Sequence, residues 1–271
     1  MTHASINSPE TLVINDYYKM VRESLKMIAG IIAEEEGQVE VDNSLFFGRS
    51  GSSYFEDDFL KPLIRKHNDK FAERINAALS DNCFKFVRIE APESVNEALM
   101  RTVADVSVFI ERPNGEITEE YINVKATAGN TADNVGSWES LNHVLYGYDS
   151  SVAKQRNVLL NKLAVEPVND SLSDYFLWVF NKNGTTVEEL MNTCETHSML
   201  GSSLSAFRVN MSQNYPVQFN CHSAEEIVFE EGTTIEEIKS ALVAKILSAG
   251  IKFHEKQLEM WSNAYEALDR V

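Results

Sequence analysis

The chain has 271 residues, of which 44% are hydrophobic, and a formal net charge of −17. That length and apolar content suit one large domain, or a domain with an appended subdomain. No apolar run is long enough to cross a bilayer, residues 1–7 lack the basic-then-apolar pattern of a secretory signal, and the odd, scattered cysteines Cys83, Cys194 and Cys221 argue against a disulfide framework and for a reducing cytoplasm.

The charge also weighs against a nucleic-acid partner, since DNA-binding proteins are usually basic. Acidic residues gather at Glu34-Glu35-Glu36, Glu225-Glu226, Glu230-Glu231 and Glu236-Glu237, and basic ones at Arg65, Lys66 and Lys70, at Lys85 and Arg88, and at Lys154 and Arg156. This division is compatible with an acidic exterior around a local basic cleft.

Pro9 and Glu10 open a helix, and Leu12, Val13, Tyr17, Met20, Val21, Leu25, Ile28 and Ile32 carry it at helical spacing to an end near Gly37. A connector leads to a second helical stretch from Ser52 or Ser53 to about Leu79, which Pro62 kinks or splits. Residues 84–89 read as a strand and 93–101 as a short helix. Residues 104–110 and 119–125 alternate as strands on either side of a turn at 112–116. Residues 126–134 read as a small-residue loop, followed by helices over 137–146 and about 152–163. The continuous apolar run 175–180 suits a buried central strand. A short helix is expected over 186–194, strands over 207–211 and 217–221, and a helix over 233–268 with a break at Gly250. The order predicts an α/β (α+β) fold, a central mixed β-sheet flanked by helices, as a single domain over 1–271. Within it stand N-terminal helices at about 9–80, a core at about 83–185, and C-terminal strands and helix at about 205–268.

The hairpin carries the chemistry. Strand side chains alternate, so Val106, Val108 and Ile110 join Ile122 and Val124 in a core, while Asp105, Ser107, Asn123 and Lys125 share the other face. A carboxylate, an amide oxygen and an ammonium gathered on a rigid hairpin could hold a hard divalent cation and a phosphate. The ordinary alternative is a solvent-facing hairpin with polar residues.

This arrangement resembles the PD-(D/E)xK nuclease superfamily and, within it, the type II restriction endonucleases. There an Asp opens one strand and a D/E-x-K motif lies on its hairpin partner; here these are Asp105 and Asn123-Val124-Lys125. Ala104 stands where the family motif has Pro, and Asn123 replaces the second acid, as N-x-K does in some members. A Glu-bearing helix around Glu56 precedes the hairpin and a polar loop and helix follow it, so residues 45–185 fit the pattern.

The resemblance implies a restriction-endonuclease-like core and Mg²⁺-dependent hydrolysis of double-stranded DNA, with Mn²⁺ able to substitute. Asp105, Asn123, the Val124 carbonyl and Glu56 would hold the metal. Lys125 would stabilise the phosphate or position or deprotonate the water. Glu119 and Glu120 are reserve acids. A homodimer follows from palindromic sites. Two other readings stay open: a repair or phage-type nuclease, and a non-catalytic acidic DNA- or protein-binding protein on the same scaffold.

Other candidates are weaker. The stretch 48–53 could contact a DNA phosphate, but loop and N-cap explain it as well. Cys194, His197, Cys221 and His222 have poor geometry for zinc. Trp138, Tyr146 and Tyr148 could stack on bases or pack in the core. The polar loops at 126–134, 181–185 and 197–205 could read base edges or simply turn.

Overall fold

A computed structural model describes residues 9–42, 54–92, 105–127, 132–147, 156–181, 184–211, 217–220 and 224–268. The expected helix at 93–101, the stretch 48–53, Tyr148, Cys221, His222 and Lys154 lie outside the described residues.

The fold is mixed α/β, a five-stranded mixed sheet flanked by helices. Helix α1 (Pro9–Glu36) ends at Gly37, whose φ of 54° favours glycine. A π-helical segment, Tyr54–Leu60, runs into α2 (Lys61–Ala78), with Pro62 in the first turn of α2. The expected split at Pro62 therefore takes the form of a change of winding. Strands β1 (Lys85–Glu90), β2 (Val106–Glu111) and β3 (Ile117–Thr127) follow as an antiparallel meander.

From β3 the chain passes through β4 (Ala132–Gly136), α3 (Trp138–Tyr146) and α4 (Arg156–Val165) before returning as β5 (Tyr175–Asn181), which lies parallel to β3. Helix α5 (Val187–Asn192) and edge strand β6 (Glu195–Ser198) complete the main sheet, in the order β1-β2-β3-β5-β6. A smaller sheet, β4-β8-β7, joins β4 to β7 (Phe207–Val209) and β8 (Val217–Phe219). Helix α6 (Ile235–Leu268) follows.

Three expectations are corrected. Residues 132–134, read as loop, belong to β4, because β8 supplies the backbone partners. Part of the loop expected at 197–205 is β6, paired antiparallel to the central strand β5. Helix α6 runs through Gly250 without a break; one glycine costs only about 1 kcal/mol in a helix interior.

The hairpin register is Val106↔Ile122, Val108↔Glu120 and Ile110↔Thr118. Opposed residues share a face, so Val106, Val108, Ile110, Ile122 and Val124 all enter the core, as the alternation predicts. Buried residues of β5, including Trp178 and Phe176, close the same core under α1. Among the described residues no helix is long and apolar enough to cross a membrane.

The basic groups on α2 do not form an open cleft. Lys66, Lys70 and Arg74 pair with Glu36, Glu35 and Glu34 at the end of α1. Lys85 approaches Glu111, and Arg88 pairs with Glu90 while stacking 3.7 Å over the Phe109 ring. The acidic run and the first basic clump thus clamp two helices together.

Candidate active site

Asp105 stands where β2 begins. Its backbone N–H donates to the Ile122 carbonyl at 2.9 Å, and its Oδ2 accepts from the Val124 N–H at 2.7 Å. The carboxylate is therefore bound to β3 at the middle residue of Asn123-Val124-Lys125. The N–H and C=O of a strand residue point to the same edge. With its N–H directed at Asp105, Val124 turns its carbonyl toward the edge where β2 has just ended. The Val124 side chain is fully buried on the opposite, core face.

Asn123 and Lys125 are half-buried and, two residues apart on β3, share one face of the sheet; the Lys125 charge acts on Asp105. Asn123 Oδ1 is enclosed and accepts no hydrogen bond among the described residues. An unsatisfied buried amide oxygen costs about 1–3 kcal/mol, so its position calls for a donor or a cation.

Glu56 comes from the π-helical segment. Its neighbour Phe55 is fully buried, with ring centroids 5.0 Å from Phe180 of β5 and 5.3 Å from Phe59. That anchor turns Glu56 into the site, where its side chain hydrogen-bonds with the Asp105 carboxyl. Burial pushes the Glu56 carboxyl up to about 8, the negative charge of Asp105 adds to the effect, and Lys125 and Lys61 oppose it. Burial likewise raises Asp105, against the pull of Lys125 and of the Val124 hydrogen bond. Two carboxyls in contact cannot both ionise cheaply, so the pair holds one proton near neutral pH unless a cation replaces it. Glu56 Oε1 is also buried without a donor.

Of the four side chains expected at the site, Glu56, Asp105 and Lys125 act on one another electrostatically, and Asn123 lies two residues before Lys125 on β3. Lys61 is a fifth member that the sequence reading missed. It is buried, donates to Asp57 Oδ1 at 2.6 Å, and its charge acts on both Glu56 and Asp105. On an α-helix residues five apart diverge; π winding, with its i→i+5 bonds, stacks them. The signal lay in the run ending at Pro62, which disturbs ordinary helical winding.

The reserve acids separate. Glu119 stands opposite Phe109 on the site face. Glu120 points the other way and is buried in the core, where it accepts from the Tyr17 hydroxyl and the Asp174 N–H; it is no reserve for this site. Trp138 is buried, and Tyr146 donates to the Glu166 carbonyl with Lys162 over its ring. His197 pairs with Glu195 and packs on Phe219.

Among the described residues no three His, Cys, Asp or Glu side chains cluster as a ready metal cage. The donor set at the hairpin is two carboxyls, one amide oxygen and a backbone carbonyl edge. These are hard oxygen donors suited to Mg²⁺, which takes one or two protein carboxylates and leaves the rest of its shell to water and substrate. No family model and no curated protein matches the chain.

Proposed function

We propose that the chain is a divalent-metal-dependent endonuclease of double-stranded DNA, of the restriction type. One observation carries the reading. Two buried oxygens without donors, Glu56 Oε1 and Asn123 Oδ1, lie at the site where Asp105 is bound to the Asn123-Val124-Lys125 strand. A hard cation is the ligand that would satisfy both. The succession of a Glu-bearing helix, a hairpin and a following helix, with the site on the hairpin's outer face, supports a restriction-endonuclease-like core.

In this reading Asp105, Glu56, Asn123 and the Val124 carbonyl hold Mg²⁺ or Mn²⁺. When bound, such an ion lowers the pKa of water and offsets charge on the scissile phosphate. Lys125 supplies a fixed positive charge where the phosphate oxygens gain negative charge, and it positions or deprotonates the attacking water. Lys61 stands behind Glu56 and holds that side of the pair toward its ionised form. The product end is a 5′-phosphate. A homodimer suits palindromic sites.

The rival reading is an acidic binding protein without catalysis. Asn123 in place of an acid, the net charge of −17, and the pairing of Lys66, Lys70 and Arg74 with α1 favour it. Incubation of plasmid DNA with the protein and Mg²⁺, then Mn²⁺, separates the two. Discrete fragments support the restriction enzyme, a smear supports a repair or phage-type nuclease, and intact DNA with either metal removes the nuclease reading. Calorimetric titration with metal adds a check that does not depend on turnover. Asp105→Asn should lose most of the binding; an undiminished isotherm would displace Asp105 as a ligand.

A further inference from the structure

Helix α6 changes character along its length. Its first half buries Ile235, Ile238, Leu242 and Ile246 in the core, and the fully buried Lys239 donates to Asn169 and Ser171. Its second half carries another stripe, Leu247, Ile251, His254, Leu258, Trp261 and Tyr265, at alternating steps of four and three residues. That is the spacing of a coiled-coil seam. The stripe is open to solvent: Ile251 is 59% exposed, Leu258 69%, Trp261 74% and Tyr265 70%. So many large apolar groups along one line mark an interaction surface.

We propose that this seam is a homodimer interface in which the second halves of two α6 helices pack antiparallel about an axis near Lys256. In that alignment each layer sets a large side chain against a smaller one. Trp261 meets Ile251 of the second copy, Tyr265 meets Leu247, and Leu258 meets His254. The surface is self-complementary, as a two-fold interface requires. An apolar groove of about 430 Å³ lies beside the seam, lined in part by Leu160, Met211, Gly250 and Ile251. Gly250 leaves its wall open, for a Cβ there would stand 3.3 Å from Met211 Cε. The antiparallel register brings the Trp261 indole of the second copy to this level.

Area is sufficient. Aromatic side chains bury about 150–250 Å² each, so Trp261 and Tyr265 from two copies contribute on the order of 600–1,000 Å². With the aliphatic layers added, the total enters the range of a stable interface, roughly 1,200–2,000 Å².

Sedimentation velocity on the full chain across the micromolar range tests the proposal. The expected species has twice the 30.5 kDa chain mass. Trp261→Glu and Ile251→Glu should each weaken the dimer by at least about 30-fold. Because both side chains are exposed in the single fold, the melting temperature in dilute solution should stay unchanged. Disulfide mapping gives the direction: a mixture of Ile251→Cys and Trp261→Cys chains should link 251 to 261. A monomeric wild-type chain overturns the proposal and leaves the seam to a foreign partner. A dimer indifferent to both substitutions overturns it, and so does a 251-to-251 link formed by the Ile251→Cys chain alone. None of these results depends on whether the protein cuts DNA.

Discussion

Glu56 and Asp105 meet carboxyl to carboxyl, one from a π-wound segment and the other from the residue just before strand β2. The contact joins two elements far apart in sequence through a proton that a dication would displace. Its consequence is a pH dependence with a fixed sign. Glu56 sits at about 8 in the fold against an ordinary value of 4.5. A raised carboxyl contributes stability that is fully present below the unfolded value and lost as pH rises through the folded one.

The metal-free protein should therefore lose stability between about pH 4.5 and 8, and Glu56→Gln should flatten that slope. Each kcal/mol of the difference is worth about 2–4 °C of Tm in a chain of this size. Mg²⁺ should bind with release of a proton below pH 8, its affinity rising by up to about tenfold per pH unit. Thermal melts of both proteins across this range, with and without Mg²⁺, check the sign. Parallel slopes for wild type and Glu56→Gln would remove the shared proton.

The two lysines have separable roles. On the nuclease reading Lys125 is a charge preorganised for the phosphate, so Lys125→Ala should cost on the order of 10²-fold or more in cleavage while the fold persists. Lys61→Met removes a buried cation that holds Glu56 toward its ionised form. Glu56 should then titrate still higher, and the pH profile of cleavage should move to the alkaline side. A drop in rate with no movement of the profile would reduce Lys61 to a structural partner of Asp57.

On the core face of the sheet lies another raised acid. Burial pushes Glu120 up to about 8, and the hydrogen bond from Tyr17 only partly offsets it. Glu120 is accordingly neutral at pH 7, and its stabilising contribution disappears as pH rises through 8. Glu120→Gln should melt close to wild type near pH 5 and above it near pH 9. An equal gap at both values would show that packing, not titration, governs this position.

The hairpin was legible because its evidence is local. Strict alternation and the turn at 112–116 set the core face of the hairpin, and the register from Val106↔Ile122 to Glu111↔Ile117 bears this out. The same alternation puts Glu120 on the core face, but an acid among Val108, Ile122 and Val124 is tolerable because it is neutral there and because Tyr17, a hundred residues away, and the Asp174 N–H donate to it. Lys61 was hidden by the π winding. Strand β6 was hidden because Glu195–Ser198 has little apolar character of its own and owes its strand geometry to pairing with β5. Pairwise burial over long sequence separation leaves no periodic trace.

Asn123→Asp is the sharpest test of the site. The Asn123 amide oxygen already lacks a donor, so a carboxylate there would add a third negative group to a pair that shares one proton. Without metal the variant should lose stability, by roughly 1–3 kcal/mol, and should raise Glu56 and Asp105 further. With Mg²⁺ present the new charge becomes a better ligand than the amide, so the Tm should recover to wild type or above and cleavage should need less metal. The readout is the difference between melting curves taken with and without Mg²⁺, set beside the Mg²⁺ dependence of cleavage. A Tm that falls equally in both conditions, with no change in metal requirement, would take Asn123 out of the site and favour the acidic binding protein over the nuclease.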